Sequence, residues 1–358
     1  MGPLDVGDPA KIGPYTLRGR LGRGGMGQVY LGVSKTADWV AVKVIRAGLA
    51  DDAHLRARFK SEVANLRRVY GARVARFEGA DFDGDQPWLA VEYVPGRSLK
   101  EFVEDDGVLP TDLAVTLGLL LAEGLGKIHQ EGLLHRDLKP QNILLGPDGP
   151  KVIDFGLAVL VGRDHQLTKT GEVVGTPVYM SPEQADGESD LTAATDVYSL
   201  AATLVYAATG RLLYGSLTGM KLFDAIRDPA TLPNLSGLPS ELVALFGQML
   251  AHDPQARPSL SAVEETLLKL VEKPGRTVKE LRDALTQRTA TEPSLPSEPG
   301  EIDIEVAGEP NPEPTPEPVT TEQSAAMDSE SAEPEPVAID VGWLVAEVRE
   351  QYDRKPVL

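Results

Sequence analysis

One polar loop constrains this chain more than any other stretch of its sequence. Residues 135–142 read His-Arg-Asp-Leu-Lys-Pro-Gln-Asn, and apolar residues on both sides anchor this loop to buried structure. A second carboxylate, Asp154, follows Lys-Val-Ile at 151–153 and precedes Phe-Gly. Two carboxylates, a carboxamide and an ammonium at this spacing predict phosphate chemistry held by Mg²⁺, which prefers hard oxygen ligands, with a base beside it. The alternative is a charged loop between core strands that carries no chemistry.

A glycine-rich segment near the N-terminus supplies the second feature. Residues 21–29 contain the G-x-G-x-x-G pattern, which also occurs in dinucleotide-binding folds. Such folds need a helix directly after the glycines, whereas Val-Tyr-Leu-Gly-Val at 29–33 predicts a strand. A hairpin with glycines at its tip lets backbone N–H groups approach phosphates with no Cβ in the way. A further predicted strand then ends in Lys43, so the segment indicates a phosphate-binding flap.

The distribution of predicted elements indicates two lobes. Apolar residues recur at spacings of three and four over residues 51–69, which predicts a helix in which Glu62 could face Lys43. A Pro-Gly pair then interrupts the strand pattern, and the composition becomes helical. We therefore expect an α+β fold, with a β-rich lobe over about 15–94 and an α-rich lobe over about 95–272. A nucleotide would bind in the cleft between them.

Charge and composition exclude several classes of protein. The net charge is −19, and fourteen acidic residues with no basic residue fall within residues 289–340. This acidity argues against nucleic acid as a ligand, because phosphate backbones are bound by cationic surface. The chain has no cysteine, which excludes thiolate metal sites and cysteine nucleophiles. With no apolar run of about 18 residues, we expect a cytoplasmic protein without a membrane span.

The last part of the chain differs from the rest. Residues 273–288 predict a short helix or a linker. The acidic segment 289–340 contains ten prolines, and we expect disorder because it has too little apolar surface to offset its chain entropy. Residues 341–358 place apolar side chains at helical spacing. They form either an amphipathic docking segment, for a partner or for the chain itself, or a weakly ordered end.

The order of these motifs resembles the bacterial, and in particular actinobacterial, eukaryotic-like serine/threonine protein kinases over about residues 15–271. Residues 175–184, Gly-Thr-Pro-Val-Tyr-Met-Ser-Pro-Glu-Gln, are similar to the end of the activation segment in that family. The resemblance implies the bilobal protein kinase fold. It also implies transfer of the γ-phosphoryl group of ATP to Ser or Thr hydroxyls of proteins, with Mg²⁺, or Mn²⁺ in its place.

The resemblance further implies a role for each matched residue. Asp137 would orient the substrate hydroxyl and accept its proton, and Lys43 would contact the phosphates. The implied catalytic residues are Asp137, Lys139, Lys43, Glu62 and Thr176. The implied metal ligands are Asn142 and Asp154. The implied nucleotide-binding residues are Leu21, Gly22, Gly24, Gly27, Val29, Ala41, Lys43, Val91, Glu92, Val94, Leu144 and Asp154.

Regulation and alternatives also follow from this resemblance. It implies autophosphorylation at Thr168 or Thr170, with Arg136 placed to receive the phosphate, and a buried ion pair between Glu183 and Arg257. Dimers through the small lobe occur in the family. The alternatives are a pseudokinase or scaffold that acts through its acidic tail, and a small-molecule kinase on the same fold. The first predicts loss of a catalytic residue, and the second does not need the substrate platform at 175–184.

Overall fold

The computed structural model describes residues 1–24, 27–45, 63–84, 86–155, 177–272 and 276–290. All of them lie in the first of two compact units, Met1–Ile302. The second unit, Asp303–Leu358, lies outside the described residues, and so do the acidic segment from 291 onwards and the predicted docking segment. Their predicted disorder and docking therefore stay predictions.

The N-terminal lobe is one antiparallel sheet of six strands, in the order β1-β2-β3-β4-β6-β5. Alternating apolar residues of the central strands cover one face with a cluster that includes Tyr30, Val42 and Trp88. The rings of Tyr15 and Trp88 meet edge to face at 5.5 Å, a favourable aromatic geometry. The strands are β1 (Lys11–Ile12), β2 (Tyr15–Gly24), β3 (Gly27–Val33), β4 (Trp39–Ile45), β5 (Phe77–Asp81) and β6 (Trp88–Glu92).

The predicted glycine-rich flap is the β2–β3 hairpin, in which Gly24 pairs with Gly27. Gly27 has φ +149°, and a Cβ at this position would lie 1.8 Å from the carbonyl oxygen of Val44. Only glycine allows the hairpin to approach β4 this closely. Residues 25 and 26, at the tip, are outside the described residues.

The C-terminal lobe is mainly helical and holds the largest core cluster. Helix α2 lies at its centre and packs against α4, α7 and α8. A small sheet in the order β7-β8-β9 lies at the boundary with the first lobe. Its strands are β7 (Arg97–Ser98), β8 (Ile143–Gly146) and β9 (Gly149–Val152). The helices are α1 (Leu99–Asp106), α2 (Thr111–Gln130), α3 (Pro182–Ala185), α4 (Ala193–Thr209), α5 (Gly219–Arg227), α6 (Ser240–Met249), α7 (Leu260–Val271) and α8 (Val278–Thr289).

Local hydrogen bonds and backbone conformation fix the ends of several helices. Ser98 begins α1 with a reciprocal capping box, in which Ser98 and Glu101 satisfy each other's backbone N–H groups. Gly210 ends α4 in the left-handed conformation, with φ +68°. Thr277 and Glu280 form a second capping box at the start of α8. The stretch 273–288, for which sequence allowed a helix or a linker, therefore contains a capped helix.

The two lobes meet where the chain passes from β6 to β7. Gly96 has φ +157°, and a Cβ there would lie 2.2 Å from the carbonyl oxygen of Leu145. The helix expected over 51–69 is described only from residue 63, and it is helical to residue 66. Within the described ranges, no helix is long and apolar enough to cross a membrane.

Candidate active site

The loop at 135–142 brings its three chemical side chains together. The Lys139 ammonium donates to Asp137 Oδ2 at 2.7 Å. The Asn142 amide nitrogen donates to the Asp137 carbonyl at 2.8 Å and to Asp137 Oδ2 at 3.2 Å. Residues 140–142 form one 3₁₀ turn directly before β8, which explains why Asn142 folds back over Asp137. The Asp137 carboxylate is thereby oriented by an amide and an ammonium.

A buried carboxylate beneath the loop holds its backbone. Asp196, in the first turn of α4, is fully buried and accepts hydrogen bonds at 2.8 Å from the backbone N–H groups of His135 and Arg136. His129 Nε2 lies 2.8 Å from the same carboxylate. Burial would raise the pKa of Asp196, but the hydrogen bond from His129 and the nearby His135 lower it below its ordinary value. Asp196 therefore stays ionised.

Asp154 meets Lys43 across the cleft. The Lys43 ammonium, on β4 of the first lobe, donates to Asp154 Oδ2 at 2.9 Å. Surrounding protein atoms would raise the pKa of Asp154, but Lys43 outweighs them, and Lys139 adds to the lowering. The two carboxylates of the site thus share the field of Lys139, which hydrogen-bonds Asp137 and also acts on Asp154.

The backbone is strained at two positions of this site. Arg136 has φ +63° and Asp154 has φ +60°, in the left-handed region that costs non-glycine residues of order 1–3 kcal/mol each. The neighbouring contacts offset this cost: Gln184 Nε2 donates to the Arg136 carbonyl at 2.7 Å. His135 Nε2 lies 3.1 Å from the Ile153 carbonyl, directly before Asp154.

The predicted nucleotide pocket lies on the side of the sheet away from the Tyr30–Trp88 cluster. Val29 pairs with Lys43, and Ala41 pairs with Val91, across adjacent strands. These four side chains and those of Leu21 and Leu144 are half-buried, as walls of an open cleft would be. On β2, Gly22 accepts a hydrogen bond from the Gln28 amide at 2.6 Å, which closes the hairpin.

Several polar groups at the end of β6, which leads to the second lobe, already have hydrogen-bond partners. The Glu92 N–H donates to the Arg76 carbonyl at 2.8 Å. The Glu92 carboxylate pairs with Lys151 on β9 and accepts from the Arg76 N–H at 3.2 Å. Val94, two residues on, is buried. This leaves backbone rather than side-chain groups of this strand for a ligand.

The metal ligands that the sequence predicts fit a divalent cation. Because the Asn142 amide nitrogen donates to Asp137, its oxygen is the atom available for ligation. Asp154 uses Oδ2 for Lys43, and Oδ1 remains as a hard ligand. Within the described ranges no group of three His, Asp or Glu side chains forms a metal cage. Two protein ligands suit Mg²⁺ bound together with nucleotide phosphates, since this ion keeps several waters and few carboxylates.

The predicted ion pair between Glu183 and Arg257 is present and buried. The guanidinium donates to both carboxylate oxygens, at 2.7 and 2.8 Å, with both side chains at 4% exposure or less. Thr195 donates to Glu183 Oε1 at 2.8 Å. Burial would raise the pKa of Glu183, but Arg257 lowers it. The pair connects α3, next to the catalytic loop, with the turn before α7.

Four predicted site residues lie outside the described residues: Glu62, Thr168, Thr170 and Thr176. Their roles stay predictions. Sequence reasoning missed the role of Asp196. The available signal was an ionisable residue heading an otherwise apolar helix, which a buried carboxylate explains better than a solvated one. It also missed Gln184, whose partner is 48 residues away.

The first lobe is a β-sheet with a glycine hairpin and Lys43. The second lobe is mainly helical and carries the carboxylates of Asp137 and Asp154. This is the arrangement of a two-lobed phosphotransferase. The family model described as a protein kinase domain matches residues 15–268. The chain therefore belongs to the protein kinase family.

Several curated relatives are actinobacterial kinases. The serine/threonine-protein kinase AfsK of Streptomyces griseus is 46% identical over 255 residues, which is 70% of this chain and 31% of that protein. The probable serine/threonine-protein kinase PkwA of Thermomonospora curvata is 45% identical over 257 residues, 72% of this chain and 34% of that protein. The chain thus spans about a third of the length of these relatives. The kinase domain of PknI of Mycobacterium tuberculosis has a TM-score of 0.58 at 27% identity, covering 72% of this chain and 95% of that structure.

Proposed function

We propose that this chain is a serine/threonine protein kinase that transfers the γ-phosphoryl group of ATP to Ser or Thr hydroxyls of protein substrates. The observation that carries the proposal is the group formed by Asp137, Lys139 and Asn142, opposed across the cleft by Asp154 paired to Lys43. A pseudokinase would be expected to lack at least one of these side chains. The motifs at 175–184 favour a protein over a small molecule as the acceptor.

ATP occupies the cleft beneath the glycine hairpin. Leu21, Val29, Ala41 and Leu144 enclose the adenine, and Val91 lies at the back of the pocket. Because the Glu92 N–H donates to Arg76, the Glu92 carbonyl and the Val94 N–H are the groups assigned to the adenine edge. The N–H groups of the hairpin around Gly22, Gly24 and Gly27 face the phosphates.

Asn142 and Asp154 would hold Mg²⁺, or Mn²⁺ in its place. A cation bound there would supply positive charge that offsets the negative charge of the phosphates. Lys43 contacts the α- and β-phosphates, and Glu62 holds Lys43 in place.

Asp137 orients the substrate hydroxyl, whose oxygen attacks the γ-phosphorus. The bond from phosphorus to the β–γ bridging oxygen breaks, ADP leaves, and the hydroxyl proton passes to the Asp137 carboxylate. Lys139 offsets negative charge on the γ-phosphate, and Thr176 contacts Asp137 and Lys139. The buried pair of Glu183 and Arg257 steadies the surface on which the substrate lies.

Autophosphorylation at Thr168 or Thr170 activates the enzyme. A phosphothreonine carries about −1.5 to −2 charge at neutral pH, and Arg136, adjacent to Asp137, receives it. Mass spectrometry of the active protein, before and after phosphatase treatment, tests this step. Both threonines unmodified in an active preparation would exclude it.

The proposal includes the rest of the chain. The kinase domain spans 15–272, and 289–340 is an acidic linker to a docking segment at 341–358 that binds a basic partner or the domain itself. The protein acts in the cytoplasm and dimerises through its first lobe. Deletion after Ala290 tests the docking segment: unchanged activity and unchanged partner capture would remove that part.

Phosphoryl transfer from labelled ATP to a generic basic protein substrate, with and without Mg²⁺, tests the activity. Asp137→Asn and Lys43→Met should reduce transfer to background. Asp190→Asn and Lys221→Met make the same chemical changes at exposed positions of the second lobe and should retain wild-type transfer. Wild-type transfer no higher than that of Asp137→Asn would refute the kinase and favour the scaffold alternative.

A further inference from the structure

A loop of the first lobe, residues 71–76, is inserted into the second lobe. Arg73 in this loop is only 5% exposed, which is unusual because arginine is rarely fully buried unless it is paired. No predicted role in nucleotide or substrate binding explains this burial.

The Arg73 side chain occupies a notch in the second lobe. Its Nη1 donates to the Asp148 carbonyl at 2.8 Å, in the turn between β8 and β9. Its Nε lies 3.7 Å from Oε2 of Glu123, on α2. The contacts thus join the loop to two separate elements of the second lobe.

Two glycines give this notch its shape. A Cβ at Gly149 would lie 2.7 Å from Arg73 Nη1, and a Cβ at Gly124 would lie 3.0 Å from the Arg73 Cβ and 3.1 Å from its carbonyl oxygen. Gly124 is in the middle of α2, where alanine would otherwise favour the helix. The missing side chains make room for Arg73. Helix α8 borders the notch, with Thr286 Oγ1 3.6 Å from the position of a Gly149 Cβ.

The backbone at Arg73 is hydrogen-bonded to β9, which ends two residues before the proposed metal ligand Asp154. The Val152 N–H donates to the Arg73 carbonyl at 2.8 Å, and the Ala75 N–H donates to the Val152 carbonyl at 3.0 Å. Ile153, the next residue, donates to the Asn142 carbonyl at 2.9 Å. Asp154 follows at once. A displacement of Arg73 would therefore reach both proposed metal ligands through one strand.

We propose that Arg73 is a positioning residue for phosphoryl transfer, which fixes Asp154 relative to Lys43 by locking the 71–76 loop into the Gly124–Gly149 notch. This inference rests on the proposed kinase function. Arg73 touches neither ATP nor the reacting atoms. It acts because Lys43 belongs to the first lobe and Asp154 to the second, so that the separation of the two depends on how the lobes are joined.

Four variants test the proposal in the full chain. Arg73→Ala removes the guanidinium, and Gly124→Ala fills the notch while leaving Arg73 in place. Gly126→Ala is the matched control, because it lies on the same helix and a Cβ there has no neighbour within 4 Å. Ile12→Ala, in the buried cluster on the sheet face away from the nucleotide pocket, is the control for a general loss of stability.

Misplacement of reacting groups by about 1 Å can reduce rates by up to roughly 100-fold. We therefore expect Arg73→Ala to lower kcat/KM by roughly 10- to 100-fold per folded molecule and to weaken Mg²⁺-dependent ATP binding in calorimetry. Gly124→Ala should change both values in the same direction but by less, because its Cβ requires the loop to shift by only a few tenths of an ångström. Gly126→Ala and Ile12→Ala should keep wild-type values for the folded fraction, even where Ile12→Ala lowers Tm. Hydrogen exchange of residues 148–154 should rise in the first pair only.

Wild-type kcat/KM and ATP affinity in folded Arg73→Ala, or equal losses in Ile12→Ala, would reduce Arg73 to a stability role and overturn the proposal. If the wild-type chain transfers no phosphate, the proposed function fails separately. Calorimetry and hydrogen exchange then decide the positioning role, because unchanged ATP affinity and unchanged exchange at 148–154 in Arg73→Ala would refute it.

Discussion

The buried carboxylate of Asp196 offers a sharp test of how the catalytic loop is held. In Asp196→Asn the shape is kept, but one of two acceptor oxygens becomes an NH₂ group. In one orientation this NH₂ faces the Arg136 N–H, and in the other it faces the His135 N–H. Either way, one buried backbone donor meets another donor.

The structure sets the size of the effect. A buried donor left without an acceptor costs about 1–3 kcal/mol, and hydrogen bonds to a charged group contribute about 1.5–3 kcal/mol. For Asp196→Asn we expect a loss of roughly 3 kcal/mol in the free energy of unfolding, a large part of the 5–15 kcal/mol typical of a domain. Because the displaced residues adjoin Asp137, kcat should also fall by about 100-fold.

Urea denaturation and steady-state kinetics, the latter normalised to folded protein, measure both effects. Asp190→Asn, an exposed aspartate near the same helix, is the control and should match the wild type. An Asp196→Asn protein with the wild-type urea midpoint and wild-type kcat would refute the role assigned to this carboxylate.

The same substitution has a pH signature. The pKa of Asp196 is lowered in the folded state, so its stabilising contribution is fully present above the ordinary aspartate pKa of about 3.9. It is lost as the pH falls through the lower folded pKa. The stability difference between wild type and Asp196→Asn should therefore be constant from neutral pH down to about 4 and shrink below that. A difference that grows on acidification would contradict the assignment.

Three further predictions concern the frame of the site. Arg257→Met should destabilise the protein by about 3–5 kcal/mol, because Glu183 is left buried without its partner. Urea denaturation measures this loss, and the double variant Glu183→Met/Arg257→Met should recover part of it. Gly27→Ala should lower stability by more than about 1 kcal/mol, because its Cβ would overlap a carbonyl of β4, and in thermal unfolding Gly7→Ala, at an open position, should not. Leu285→Ala, fully buried in α8, should cost about 2–5 kcal/mol; an unchanged urea midpoint would show that α8 contributes nothing to the domain.

The geometry of the 135–142 loop could be predicted from sequence because its residues are neighbours in the chain. Asp137, Lys139 and Asn142 fall within six residues, and one 3₁₀ turn is enough to bring them together. The Val-Tyr-Leu-Gly-Val run at 29–33 likewise predicted a strand, which is β3. The protein kinase family and the two-lobed fold are confirmed. In each case the residues that form the sequence pattern are also the residues that form the structure.

The supports of the site could not be predicted, because they act across the chain. Asp196 holds residues 60 and 61 positions earlier, and nothing in its own neighbourhood specifies that partner. Arg73 lies in Ala-Arg-Val-Ala-Arg-Phe, where no neighbouring residue indicates that its charge is buried. Only the glycines at 124 and 149, far away in sequence, make its burial feasible.

Asp196, Gln184 and Arg73 all support the strained backbone of the site. Arg136 and Asp154 both have left-handed backbone conformations. Arg136 directly precedes the proposed base, Asp137, and Asp154 is a proposed metal ligand. A strained residue keeps its conformation only when the groups around it leave no alternative. Asp196 and Gln184 hold the backbone on both sides of Arg136, and the Arg73 loop holds the strand before Asp154. The residues of the proposed chemistry are thus fixed by residues from three other parts of the chain, and substitutions at those supports should reduce transfer while every proposed catalytic side chain is still present.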